Sequence, residues 1–335
     1  MNILKGYVQM DYPKKLMLAN IPTKLEKMNW VSSLFKHIDV YIKRDDQTGF
    51  ECSGNKVRKL EYLMYEVLNQ NYDGVITCGS AQSNHVRATA ACAAKLGLKC
   101  IAVLRELDQA EPVCNLAMTK AFGATCVNID AEEYKLHRTE IMNDIKIERA
   151  LNGDKIYVIP EGGSSALGAL GYFDAFKEIL EQEKAMNINF DMLSVAVGSC
   201  GTYSGLVLGN HRLKTQKSIL GINIYNPQHD FTPEIQKLVF KSDTYFDQAS
   251  TDRPLSLNLK NNYVGEAYGI ENKNATEFTK EVTQNEGILF DRVYTSKAFY
   301  GFIEELKKKD QEIEASGTKG INALFIHTGG TFLLP

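Results

Sequence analysis

Ser53-Gly54-Asn55-Lys56-Val57-Arg58-Lys59-Leu60-Glu61 opens a segment whose apolar residues fall at Leu60, Leu63, Met64, Val67 and Leu68. Spacings of i, i+3, i+4, i+7 and i+8 mark a helix with one buried face, here over residues 56–68. Lys56 lies one turn before Leu60 on the same stripe. Its ammonium is aimed inward at a helix N-terminus, where the dipole disfavours a cation. Burial and positive potential both lower an amine's pKa, as a Schiff-base lysine requires. A lysine snorkelling at a helix end accounts for the same pattern, and the stripe alone does not separate the two readings.

Strand-like and helix-like segments alternate around this helix. Short apolar runs predict strands at residues 39–43, 74–78, 100–104, 125–129, 155–159, 192–197, 219–225 and 323–326. Helical patterns fall at residues 84–96, 116–122, 132–150, 166–183, 203–213, 274–285 and 296–309. Such alternation implies an α/β fold of mostly parallel sheets covered on both faces. Ligands of such sheets bind beyond the carboxyl ends of the strands, so the loops there are where function is expected. A chain of 335 residues exceeds one ordinary core, and two domains are expected.

Composition excludes several classes. Lys and Arg number 38 against 41 Asp and Glu, a net charge of -3 with no basic run, which argues against nucleic-acid binding. No stretch approaches the run of about 18 apolar residues of a membrane span. The opening residues, MNILKGYVQMDYPKKL, lack the apolar stretch of a signal peptide. The 7 cysteines are scattered, without a Cys-x-x-Cys pair. They read as reduced thiols of a cytoplasmic protein, not as a disulfide frame or a metal site.

Four strand ends are polar and rich in glycine. Val197-Gly198-Ser199-Cys200-Gly201-Thr202-Tyr203-Ser204-Gly205 follows a strand and opens a helix, so free amides there can hold phosphate. It lacks the Gly-Lys-Ser/Thr of a Walker loop and is not Gly-x-Gly-x-x-Gly. No acidic residue closes the next strand at Tyr225 to hold a ribose. A phosphate arriving without a nucleotide fits, and so does a turn chosen for tight packing. Gly79-Ser80-Ala81-Gln82-Ser83-Asn84-His85 gathers amide, hydroxyl and imidazole groups suited to a small carboxylate. Ser83 or Asn84 acting as a helix N-cap explains that loop equally well. Glu161-Gly162-Gly163-Ser164 and His327-Thr328-Gly329-Gly330 close two more strands. One shared cleft explains all four ends together.

With these loops in place the chain resembles a known family. Lys43-Arg44-Asp45-Asp46, the run from Ser53 to Glu61, and Gln82-Ser83-Asn84-His85-Val86-Arg87 resemble the D-cysteine desulfhydrase and 1-aminocyclopropane-1-carboxylate deaminase family. Gly162-Gly163-Ser164, Gly168-Ala169-Leu170-Gly171-Tyr172, the loop at Gly198, Asp291-Arg292-Val293-Tyr294-Thr295 and His327-Thr328-Gly329-Gly330 continue the resemblance in order. It implies the tryptophan-synthase-β-like fold, fold type II for pyridoxal 5'-phosphate, with two three-layer αβα domains. Residues 1–48 and 166–335 would form the large cofactor-binding domain and residues 49–165 the small one. A homodimer acting on a small amino acid is implied.

Carried over by position, Lys56 would hold the cofactor and Asn84 would contact its ring hydroxyl. Gly198, Ser199, Cys200, Gly201 and Thr202 would cradle its phosphate. Thr328 would face the pyridine nitrogen. Gln82 and Ser83, beside Asn84, would bind the substrate carboxylate. Tyr268, in Ala267-Tyr268-Gly269, and Tyr294 would line the substrate side, although both also read as core aromatics. Freed Lys56 is the natural base for the α-proton.

Cyclopropane-carboxylate deaminases resemble the chain but tend to carry Glu at Thr295 and Leu at Thr328. A carboxylate at the pyridine nitrogen strengthens the electron sink more than a hydroxyl does. Elimination of a good leaving group needs less of that help than opening a cyclopropane, which favours D-cysteine as substrate. Ser53, Cys200, Tyr203 and Ser165 also depart from the family's usual Gly, Gly, His and Asn. L-cysteate sulfo-lyase activity and cyclopropane-carboxylate deamination remain alternatives. A non-catalytic cleft for an anionic metabolite or nucleotide is the reading from another class.

Overall fold

The alternation predicted from the sequence is built into two separate sheets. A computed structural model describes residues 12–105, 113–246, 254–266, 269–330 and 332. The chain starts with β1 (Leu25–Lys27), α1 (Asn29–Ser32) and β2 (Ile38–Lys43). It then builds α2 (Lys56–Asn69), β3 (Gly74–Ser80), α3 (Asn84–Lys95), β4 (Lys99–Arg105), α4 (Cys114–Ala121), β5 (Thr125–Ile129), α5 (Ala131–Leu151) and β6 (Ile156–Val158). Next come α6 (Ala166–Met186), β7 (Met192–Val197), α7 (Gly201–Arg212), β8 (Ser218–Asn223), α8 (Thr232–Asp243) and β9 (Asn258–Lys260). It ends with α9 (Lys273–Glu286), α10 (Thr295–Ser316) and β10 (Ile321–Ile326).

The smaller sheet has the order β5-β4-β3-β6 and is parallel throughout. The larger has the order β1-β2-β10-β7-β8-β9, antiparallel only between β1 and β2. β10 lies between β2 and β7, with Ile38 opposite Ile321 and Ala323 opposite Met192. Each sheet therefore reverses its strand order once: between β3 and β6 in the small sheet, and between β7 and β10 in the large one. Crevices open beyond the carboxyl ends of strands at such reversals. The four glycine-rich loops read from the sequence follow β3, β6, β7 and β10. Among the described residues no helix is long and apolar enough to cross a membrane.

Some elements differ from the sequence reading. α8 was missed, although Ile235, Leu238 and Val239 follow Phe231 at helical spacing and Pro233 sits in its first turn. α10 extends to Ser316 because its final turns are mostly polar and carry little stripe signal; Gly317, at φ 63°, ends it. β1, α1 and β9 are too short for periodicity to reveal.

α2 joins the two sheets. Leu60, Leu63, Met64 and Val67 are buried as expected, but Leu68 departs from the stripe at 38% exposed. Arg58, Lys59, Glu61 and Tyr62 are buried too, so the helix is enclosed on almost every side. α6 packs against it so closely that a Cβ on Gly171 would lie 2.3 Å from the Arg58 carbonyl oxygen. Arg58 is matched by two carboxylates: Nη2 donates to Asp45 Oδ1 at 2.8 Å and Nη1 to Glu178 Oε2 at 2.9 Å. Tyr172 donates to Asp45 Oδ2 at 2.6 Å, and Lys43 pairs with Glu178. Burial works to raise the Asp45 pKa, but the Arg58 charge and hydrogen bonds outweigh it and hold the carboxyl below its usual range. Arg58→Ala would leave the fully buried Asp45 without its ion-pair partner, while Glu178 keeps Lys43, and is expected to cost about 3–5 kcal/mol in urea unfolding. A loss below about 1 kcal/mol, the value of a surface pair, would contradict this account.

Candidate active site

The four loops enclose a cavity of about 860 Å³ between the two sheets. Lys56, Ser83, Asn84, Gly198, Ser199, Cys200, Thr202, Tyr294 and Thr328 line it, together with Glu161, Gly162 and Ser164. The loop before α2 is fastened to two of these strand ends. Asn55 donates its backbone N–H to the Thr328 carbonyl at 3.0 Å, and its Nδ2 to Thr202 Oγ1 at 2.9 Å.

One end of the cavity is organised for an anion. α7 begins there at Gly201, whose N–H donates to Ser164 Oγ at 3.2 Å. Ser164 Oγ donates to Ser199 Oγ at 2.9 Å. Lys59 Nζ reaches Ser164 Oγ at 3.3 Å and the Gly162 carbonyl at 3.2 Å. Lys59 is fully buried and, among the described residues, has no carboxylate within ion-pair distance. Burial, with the nearby charge of Lys56, pushes its pKa well below the ordinary lysine range. A buried cation and a helix N-terminus facing the same space both favour an anion there. Gly162, at φ 68°, keeps the space open: a Cβ would lie 2.2 Å from Ser199 Oγ and 3.4 Å from Lys56 Nζ. Cys200 adopts φ 66°, a left-handed conformation that favours the glycine common in the family at this position.

Beside this cradle, burial brings the Lys56 pKa down to about 8, against an opposing pull from Glu161. His85 stands behind it as a neutral wall. Its Nε2 lies 2.8 Å from Thr77 Oγ1, whose hydroxyl donates to the Ile159 carbonyl at 2.9 Å. Burial, then the charges of Lys56 and Lys59, hold the His85 pKa well below its usual value. Asn84 is oriented by Asn115, whose Nδ2 donates to Asn84 Oδ1 at 2.8 Å. The Asn84 amide N–H groups are thereby left to the cavity.

Ser83 is both an N-cap and a lining residue. It lines the cavity, and its Oγ caps α3 by accepting the Val86 N–H at 3.3 Å. Gln82 is not brought to the cavity: its Nε2 donates to the Val113 carbonyl and its Oε1 accepts the Asn115 N–H, both at 3.0 Å. Gly201 lies behind the lining residues, against Ser164 and Lys59. Tyr268 lies outside the described residues. Lys59 and Ser164 received no role from the sequence. Lys59 follows Lys56 by three positions, so helical spacing already placed it on the same face.

A lysine amine of lowered pKa and an anion cradle, facing one another beyond parallel strands, define a cofactor site for an aldehyde that carries a phosphate. Consistent with this, the model of the family described as pyridoxal-phosphate dependent enzyme matches residues 16–329, and the chain belongs to that family. A Thermotoga maritima protein named putative 1-aminocyclopropane-1-carboxylate deaminase is 38% identical over 322 residues, covering 95% of this chain and 96% of that protein. A Serratia proteamaculans D-cysteine desulfhydrase is 35% identical over 318 residues, covering 94% and 93%. A crystal structure described as an ACC deaminase homologue superposes with a TM-score of 0.84 at 34% identity, covering 96% of this chain and 93% of that one. The fold is therefore α/β fold type II, and the protein is a pyridoxal-phosphate-dependent lyase of the D-cysteine desulfhydrase and ACC deaminase family.

The residues present fit the cofactor: Lys56 Nζ would meet its carbonyl, the α7 N-terminus with Lys59 its phosphate, and the Asn84 amide its ring hydroxyl. Lys59→Met is expected to weaken retention of pyridoxal phosphate at least tenfold, read by equilibrium dialysis; unchanged retention would remove Lys59 from the cradle. Competitive acylation of the cofactor-free enzyme should find Lys56 reactivity levelling off above about pH 8. An ordinary lysine amine would keep gaining reactivity to about pH 10.4.

Proposed function

We propose that the protein catalyses β-elimination from D-cysteine, releasing sulfide, pyruvate and ammonia. The observation that carries this reading is a pair of threonines where cyclopropane-carboxylate deaminases tend to have glutamate and leucine. Thr295 is fully buried, and its hydroxyl donates to Asp291 Oδ2 at 2.7 Å while accepting the Asp291 N–H at 2.9 Å. It caps the loop before α10 and brings no carboxylate to the cavity. Thr328 borders the cavity, and its hydroxyl has no hydrogen-bond partner among the described residues.

Bound pyridoxal phosphate supplies an electron sink for the charge left on the substrate's α-carbon. The remaining roles belong to the chain. Lys56 Nζ anchors the cofactor and, once free, takes the α-proton; its pKa of about 8 leaves a usable share of neutral amine near pH 7. Lys59, Ser199, Thr202 and the backbone from Gly198 to Thr202 hold the phosphate. Asn84 Nδ2 donates to the ring hydroxyl, and Ser83 Oγ binds the substrate carboxylate. Thr328 Oγ1 would offer the ring nitrogen a hydroxyl, which favours its protonated form less than a carboxylate does. Departure of a thiolate from the β-carbon tolerates that weaker sink. Tyr294 borders the substrate side. The reading takes residues 1–48 with 166–335 as the large domain, residues 49–165 as the small one, and a homodimer as the working form.

The name of the Thermotoga maritima relative favours opening of 1-aminocyclopropane-1-carboxylate as the second reading. Purified holoenzyme should release sulfide and pyruvate from D-cysteine faster than it forms 2-oxobutyrate from the cyclopropane substrate. The reverse ranking would overturn the choice, and sulfite released from L-cysteate in preference to both would replace it.

A further inference from the structure

Cys52 and Cys92 face one another with their sulfurs 3.5 Å apart. Cys92 lies on α3 among alanines and is fully buried; Cys52 precedes Lys56 by four residues and keeps 8% exposure. Phe50 and Glu51, beside Cys52, are exposed, so a small reagent reaches this loop from solvent. Arg87 brackets the thiol. Its Nη1 donates to the Glu51 carbonyl and its Nη2 to the Ser53 carbonyl at 3.0 Å, the residues on either side of Cys52. We propose that Cys52 and Cys92 form a site of reversible thiol oxidation that closes to a disulfide on exposure to hydrogen peroxide.

The two sulfurs have unequal roles. The Cys92 thiol hydrogen-bonded to it, and then the charges of Arg87 and Lys95, hold the Cys52 pKa below its usual value against partial burial. Its partner Cys92 is pushed well above that value by the same hydrogen bond and by burial, so it keeps the proton. Burial pushes Cys78, Cys100 and Cys200 up to about 12, which leaves them inert. The Cys52 thiolate attacks one peroxide oxygen. The O–O bond breaks, Cys52 becomes a sulfenic acid, and the hydroxide released takes up the proton Cys52 had lost, forming water. Cys92 sulfur then attacks Cys52 sulfur; the S–O bond breaks and the hydroxyl leaves as a second water with the Cys92 proton. Two thiols and one peroxide thus give one disulfide and two waters.

The cross-link would tie α3, which begins at Asn84, to the loop that presents Lys56. Its ends are 40 residues apart in sequence, far enough for closure to constrain the unfolded chain appreciably. The test uses holoenzyme treated with peroxide, alkylated, and digested without reduction for mass spectrometry. A peptide joining Cys52 to Cys92, lost on treatment with dithiothreitol, is the expected product. The thermal midpoint of oxidised wild-type holoenzyme should rise by several degrees, with no rise in Cys92→Ala or Cys52→Ser. Recovery of both cysteines alkylated at a dose that oxidises the exposed Cys114 would overturn the proposal. So would their recovery as separate sulfinic acids, or an equal rise in midpoint in either variant. None of these readouts depends on the substrate.

Discussion

Two neighbouring residues of α2 have buried basic side chains, and only one meets carboxylates. Arg58 meets Asp45 and Glu178, whereas Lys59 meets a carbonyl and a hydroxyl. A buried ion is tolerated when a counter-charge or several hydrogen bonds compensate it. On the Arg58 side the protein supplies that compensation itself, which fixes the helix against β2 and α6. On the Lys59 side burial lowers the amine's pKa, and an anion in the cavity would favour its charged form. The helix is thus anchored by one charge and prepared for a ligand by the next.

The reversals of strand order explain why residues so distant in sequence share one site. At each reversal the loops after two neighbouring strands diverge and leave room between them. With two sheets facing one another, four loops converge and no single loop needs a complete set of groups. The β7 loop and α7 offer backbone amides, the β3 loop a carboxamide, and the β6 loop the glycine that leaves space beside Ser199. α2 crosses between the sheets, so its first turn is the place where one lysine can reach the space that all four line.

Much of this was legible in the sequence. Strands β5 and β7 fall at the residues that apolar runs predicted; β7 does so because buried parallel strands are nearly continuous in hydrophobicity, whereas β5 is an edge strand in which Ile129 alone is buried. The glycine-rich strand ends were visible as composition, and their order matched a family. Pairing of β10 with β2 was not visible, since strand alternation carries no record of which strands become neighbours. Gln82 was misplaced for a related reason. A polar residue in a functional loop reads as a ligand donor, yet here it fastens the loop to α4 through Val113 and Asn115. Lys59 was overlooked because surface lysines are common and its burial depends on α6 and the β6 loop, elements outside its own helix.

The position of β10 also dictates an order of assembly. The small sheet uses strands from a continuous stretch, residues 74–158, and can close as soon as that stretch has been synthesised. The large sheet cannot: its middle place, between β2 and β7, is filled only by residues 321–326. Until then a nascent chain carries two unpaired parallel edges, β2 and β7, flanking an open slot. Such edges are templates for pairing with other chains, which makes the last strand the one whose delay is most hazardous on the ribosome. The loop that follows this strand carries Thr328, so completion of the sheet and completion of the cavity are a single event.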